Sequence, residues 1–186
     1  MVLTPSTMVT LGSKAPEFQL KDVVSGKFFS LSELKSETGT VIMFICNHCP
    51  YVKHVQEEIV NLANDFKNKN ISFIAISSND IETYPEDGPE KMKETALEKK
   101  YPFPYLFDET QNTAKAYNAA CTPDFFIYDK ELKLIYRGQL DDSRPENNKP
   151  ITGNDVREAL NNVINGNLIN PNQKPSMGCN IKWKKE

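Results

Sequence analysis

At 186 residues, 39% hydrophobic and 25% charged, with a formal charge of −3, the chain can bury one sizeable core and has no bias toward nucleic acid or anionic lipid. No apolar run approaches the ~18 residues needed to span a bilayer, and the first residues lack the basic start and apolar stretch of a secretory leader. The expectation is a cytoplasmic protein, where four cysteines do not build a disulfide framework and a Cys-x-x-Cys pair reads as catalytic or metal-binding.

The residues up to about Gly12 read as a loosely held lead-in. Residues 15–20 alternate polar and apolar, Ser25-Gly26 marks a turn, and residues 27–31 alternate again, which predicts an N-terminal β-hairpin. A short helical turn over 32–35 precedes Gly39. Val41, Ile42, Met43, Phe44 and Ile45 then form a continuous apolar run, the pattern of a strand buried on both faces. Cys46-Asn47-His48-Cys49-Pro50 follows directly. From Tyr51 onward, Val52, Val55, Ile59, Leu62, Ala63 and Phe66 recur at three- and four-residue spacing, so a helix with one apolar face runs to about Lys69. Residues 71–76 read as a second buried strand, and the three elements close as a right-handed βαβ unit with parallel strands.

The turn-rich loop 77–89 leaves the second strand at its C-terminal end, the edge where open α/β sheets carry their ligand sites. A helix over 89–100, an irregular extended piece over 103–107 and a short helix over 110–119 come next. Residues 124–128 and 132–137 are predicted as an antiparallel pair. Thr152-Gly153-Asn154-Asp155 resembles a capping box, opening a helix whose apolar face carries Val156, Ala159, Leu160, Val163 and Ile164 and which stops at Gly166. Residues 166–186 read as a packed tail with a solvated basic end. The whole chain, 1–186, is predicted as one domain with its core over about 10–165.

The chemistry concentrates at the junction of the first buried strand and its helix. Two thiols separated by two residues there can close a disulfide without distorting the backbone, and a helix N-terminus favours the thiolate. Cys46, nearer solvent, is predicted as the nucleophile with a lowered pKa, Cys49 as the resolving thiol, and His48 as the group that favours the Cys46 thiolate. Two other readings of the pair stay open: buried inert cysteines, or a zinc or copper site of Cys46, Cys49 and either His54 or Cys121. His54 otherwise reads as a helix-surface residue. Thr122-Pro123 stands directly before a buried strand. A cis bond there turns the backbone of Thr122 toward the cysteines, where a bound substrate could pair with it; a trans Thr-Pro turn is the plainer alternative. Cys121 and Cys179 are candidate auxiliary redox thiols, Cys179 only if the tail folds over the site. Asp141-Asp142-Ser143-Arg144 reads as a salt-bridged turn.

Gly12-x-x-Ala15-Pro16-x-Phe18-x-Leu20, an apolar strand into Cys46-x-x-Cys49-Pro50, and Thr122-Pro123 before a strand together resemble the thioredoxin-fold redoxins, the alkyl hydroperoxide reductase and thiol-specific antioxidant superfamily. More narrowly, Cys46-Asn47-His48-Cys49-Pro50-Tyr51-Val52-Lys53, Tyr101-Pro102-Phe103-Pro104-Tyr105, Cys121-Thr122-Pro123-Asp124-Phe125-Phe126, the string from Arg137 to Pro145 and Pro175-Ser176-x-Gly178-Cys179-x-Ile181-Lys182-Trp183 are similar to a peroxiredoxin-like subgroup. The resemblance implies an α/β thioredoxin fold, a mixed sheet flanked by helices with the hairpin added. Two departures matter. The peroxiredoxin Pro-x3-Thr-x2-Cys apparatus is missing, since counting back from Cys46 gives Met43 and Gly39, and from Cys49 gives Cys46 and Ile42. The buried acid that thioredoxins carry in the strand before their cysteines is also missing, because residues 40–45 hold no carboxylate. The expected function is thiol–disulfide oxidoreduction on a protein or small-molecule disulfide, with a peroxide-reducing variant and a metal-delivery module as alternatives. It needs a partner reductase and no organic cofactor, because the dithiol carries the electrons.

Overall fold

In the computed structural model, which describes residues 3–185, two sheets are present. The larger has seven strands. Its centre is β4 (Gly39–Phe44), parallel on one side to β5 (Ile71–Ser77) and antiparallel on the other to β8 (Asp124–Asp129). β6 (Tyr105–Phe107) lies parallel to β5, β9 (Leu134–Gly138) pairs with β8, and the hairpin of β2 (Gln19–Asp22) and β3 (Phe28–Ser30) completes the sheet by pairing β2 with β6. The strand order is β3-β2-β6-β5-β4-β8-β9.

Every residue of β4 is buried, and the physical reason is that both faces of the sheet are covered. Val41, Met43 and Ile45 join one core with Val52, Val55, Ile59 and Leu62 of helix α2 (Pro50–Phe66) and Val156, Ala159 and Leu160 of a second helix described below. Ile42 and Phe44 point the other way, into a core with Phe18, Leu31, Tyr117 and Phe126. The alternation fixes the register: a one-residue slip would exchange the two sets and present each to the wrong layer.

Several elements depart from expectation. The lead-in is anchored: β1 (Leu3–Pro5) pairs with a strand from the tail, β10 (Met177–Asn180), which in turn pairs with β7 (Cys121–Thr122), making a second, three-stranded sheet. Residues 1, 2 and 186, included in the predicted domain, lie outside the described residues. The helix after the capping-box signature, α5 (Asn154–Ile164), has no side-chain cap. Asp141 instead accepts the amides of Thr152 and Gly153, each at 2.7 Å, and Gly153 takes a left-handed φ of 62° at the N-cap. The capping box that does form belongs to Ser30 and Glu33, at the start of α1 (Leu31–Leu34). The helices α3 (Pro89–Glu98) and α4 (Asn112–Ala116) stand where the pattern places them, α4 shorter than expected. No helix among the described residues is long and apolar enough to cross a membrane.

Candidate active site

β4 ends at Phe44, and the chain passes through Ile45 to Asn47 and His48 before Cys49 becomes the N-cap of α2. Pro50 follows at the first helical position, where its missing N–H costs nothing because that amide has no intrahelical partner. Cys46 and Cys49 are free thiols, 2% and 0% exposed. Both reach Thr122: the Cys46 Sγ lies 3.4 Å from the Thr122 hydroxyl, and the Cys49 thiol donates to the Thr122 carbonyl at 3.2 Å. The Thr122–Pro123 peptide bond is cis. The structure thus brings Cys46, Cys49, Thr122 and Pro123 to one place, although those residues are up to 77 positions apart in sequence (46 against 123).

The electrostatics run opposite to the sequence expectation. The Cys46 thiol is pushed up, by its hydrogen bond to Cys49, by burial and by the nearby negative charge of Asp87. The Cys49 thiol is held down, by hydrogen bonds from Cys179 and Cys46 and, more weakly, by Thr122 and the amide of Val52, with burial opposing. The largest contributions are the sulfur–sulfur hydrogen bonds that converge on Cys49 from Cys179 and Cys46; its place at the N-cap adds a weaker one through the Val52 amide. Cys46 sits three residues outside the helix. Cys46 is therefore the proton-bearing thiol and Cys49 the sulfur that best holds negative charge.

His48 is placed beside Cys46, its Nδ1 3.9 Å from the Cys46 Sγ, but the same nitrogen makes a far shorter contact, 2.5 Å, to the Asp87 carboxylate. Asp87 is the residue that sequence reasoning missed. It closes a 3-10 turn (Pro85–Asp87) in the loop after β5, its side chain is fully buried, and its oxygens accept from the amides of Asn47 (2.8 Å) and His48 (3.1 Å) and from the Asn79 side chain (2.8 Å). Burial pushes the Asp87 carboxyl up, but hydrogen bonds from His48 and Asn79 outweigh it and hold the group below its ordinary value. A buried acid thus stands beside the cysteines, delivered by a loop and not by β4. The turn-rich character of 77–89 and its exit at the cysteine-bearing edge were the signals for it. Tyr84, from the same loop, stacks its ring on His48 with centroids 4.8 Å apart.

The tail completes the site. β10 pairs with β7 in the register that sets Cys179 opposite Thr122, so the backbone edge expected to receive a substrate is occupied by the chain's own C-terminal segment. Past β10, the Lys182 amide donates to Asn79 at 2.8 Å, which links the tail through Asn79 to Asp87. Cys121 faces elsewhere: its thiol points to the Pro123 carbonyl at 3.7 Å, and burial, with the charge of Asp124, pushes it up. The metal set of Cys46, Cys49 and His54 or Cys121 does not converge; among the described residues the cluster of potential ligands is Cys46, His48 and Asp87, whose ligand atoms lie within 4.8 Å of one another. The Asp141–Arg144 turn is a hydrogen-bonded knot, with Asp142 paired to Lys174 at 2.9 Å, Arg144 donating to Gln139 at 2.6 Å and Asp141 holding the start of α5.

The sequence profile of the AhpC/TSA family matches residues 11–137. A conserved protein of Geobacillus kaustophilus, described as uncharacterized, is 58% identical, with a TM-score of 0.99 over 100% of this chain and 98% of its own. A hypothetical protein of Sinorhizobium meliloti 1021 is 43% identical, with a TM-score of 0.96 over 98% of this chain and 100% of its own. A thiol:disulfide interchange protein of Chlorobium tepidum, at 16% identity, superposes with a TM-score of 0.64 over 84% of this chain and 99% of its own, which shows the shared thioredoxin-like fold. No curated protein matches the chain.

Proposed function

We propose, from the premise that this chain belongs to the AhpC/TSA family, that it is a thiol–disulfide oxidoreductase cycling between a Cys46/Cys49 dithiol and a Cys46–Cys49 disulfide. The observation that carries this reading is the hydrogen-bonded pair of thiols converging on Thr122 at the strand–helix junction. Asn47 and His48, the residues directly after Cys46, line an outer groove with Lys53, Gln56, Glu86 and Lys91, and in this reading Cys46 is the sulfur that meets an incoming disulfide. Cys49 takes the Cys46 proton through their hydrogen bond, and the Cys46 sulfur attacks one substrate sulfur while the other leaves as thiolate. Cys49, a thiolate until it took that proton, gives it up to the leaving group and attacks Cys46; the Cys46–Cys49 bond forms and the second substrate sulfur departs as a thiolate that takes its proton from solvent. Two electrons and one proton pass from the pair to the substrate, and a partner reductase restores the reduced pair. The lowered pKa of Cys49 supports its part in this sequence, because a resolving sulfur must shed its proton readily.

A glutathione redox titration tests the reading. The expected result is a two-electron oxidation in which a Cys46–Cys49 disulfide forms, with a potential of about −270 mV marking a reductant and about −120 mV an oxidant. Failure to form that disulfide at any glutathione ratio, or disulfide reduction unaffected by Cys46→Ser, would overturn it. A second reading, cation binding, draws on the Cys46, His48 and Asp87 cluster. Zinc bound in a one-to-one ratio and displaced by Asp87→Ala would favour it.

A further inference from the structure

We propose that Cys179 is a third redox thiol of this site and exchanges with the Cys46–Cys49 pair through Cys49, an inference that rests on the dithiol reading above. In an antiparallel pair, directly opposed residues send their side chains to the same face of the sheet. Cys179 is opposed to Thr122, whose hydroxyl already touches the Cys46 sulfur, so Cys179 lies on the face that carries the cysteine pair. Asn180 is opposed to Cys121 and takes the other face with it. Gly178 makes the approach close: a Cβ at that position would run into the Thr122 carbonyl, so β10 packs against β7 nearer than a strand with a side chain there could. The register thus sets Cys179, only 2% exposed, beside the residue that both cysteines reach, within hydrogen-bonding range of Cys49. Cys49 is therefore the middle of three sulfurs.

The chemistry follows from that order. With Cys46 and Cys49 joined, the Cys179 sulfur attacks Cys49; the Cys49–Cys179 bond forms and the Cys46–Cys49 bond breaks. The electron pair leaves on Cys46, which receives the proton that Cys179 gives up, so the step is an isomerisation with no net oxidation. In the second form β10 is tied covalently across the pair, while Cys46 is a free thiol even though the chain is oxidised. The site thereby keeps a thiol for an outside partner in both oxidised forms.

Disulfide mapping of single variants decides the matter. Cys46→Ser, oxidised with diamide and digested, is expected to yield a Cys49–Cys179 linked peptide from the monomer nearly completely, and the Cys46→Ser/Cys179→Ser double variant none. Cys46→Ser that keeps a native circular dichroism spectrum but retains free thiols, or links Cys49 only between molecules, would overturn the proposal. Wild type poised in a glutathione buffer provides the same readout without substitution: both Cys46–Cys49 and Cys49–Cys179 linkages are expected, and Cys46–Cys49 alone at every ratio refutes the exchange. Cys179→Ser separates the two readings. Formation of Cys46–Cys49 in that variant upholds the dithiol function whatever becomes of Cys179, and its absence sinks that function independently.

Discussion

Replacing Asp87 by Asn should loosen the fold and sharpen the Cys46 thiol at the same time. The Asp87 carboxylate is fully buried and takes four hydrogen bonds, from the amides of Asn47 and His48, from His48 Nδ1 and from the Asn79 side chain. Asparagine has the same shape, and its carbonyl can keep the two backbone amides, but as a neutral acceptor it binds them roughly half as strongly. Its NH2 then faces the Asn79 NH2, and a buried donor left without an acceptor costs about 1–3 kcal/mol. With ~1 kcal/mol for the weakened amide bonds, the loss comes to about 2–4 kcal/mol, or roughly 5–15 °C in Tm for a chain of this size. Meanwhile the negative charge that helps hold the Cys46 thiol up is gone, so that thiol titrates lower. Urea denaturation gives the first quantity. The second is the midpoint of the pH profile for iodoacetamide alkylation in a Cys49→Ser background, where the midpoint, unlike the plateau rate, does not change with exposure alone. Linkage supplies a third reading: a carboxyl held below its ordinary value contributes stability above that range and loses it as pH falls through the folded value, so Asp87→Asn should flatten the acid limb. A stability change under about 0.5 kcal/mol, or a midpoint that stays or rises, would refute the role given to Asp87.

Two further outcomes follow from the same contacts. Gly178→Ala drives a methyl into the Thr122 carbonyl, so β10 should lift from β7 at a cost of about 1–3 kcal/mol, and native-state alkylation of Cys49 and Cys179 should accelerate; unchanged protection would show that β10 is not what covers the pair. Asp124 is buried beneath the cis-proline, and burial, offset in part by Arg137, Ser6 and Ala120, raises its carboxyl to about 6 from 3.8. Between those values the folded chain holds more protons than the unfolded one, so this group's contribution grows as pH drops from neutrality toward 4. Asp124→Asn should erase that slope in urea melts compared at about pH 5 and about pH 7. A slope that survives the substitution would mean another group sets it.

What was legible in the sequence was whatever depends on neighbours along the chain. The five apolar residues from Val41 to Ile45 announced a strand covered on both sides, the spacing of Val52, Val55, Ile59 and Leu62 announced the helix laid over it, and the cysteines between them announced thiol chemistry. Thr122-Pro123 was readable for a similar reason, since a proline at the start of a buried strand removes a ladder donor and calls for a local explanation. The resemblance to redoxins rested on these same local strings.

The tertiary structure alone decided which sulfur holds the charge. A thiolate's stability depends on every dipole and charge within a few ångströms, and those arrive here from remote segments: Asp87 from the loop after β5, Thr122 from β7, and Cys179 from a strand more than a hundred residues downstream. Nothing in the sequence near Cys46 records those distances. For the same reason residues 1–12 read as a loose lead-in and 166–186 as a packed tail with no strand of its own. A strand of three or four residues carries almost no pattern of its own, and β1 and β10 become strands because β7 offers an unpaired backbone edge that must be satisfied. Periodicity and composition settled the scaffold, because burial repeats along a chain; the state of the thiols was settled by convergence, because electrostatics acts through space.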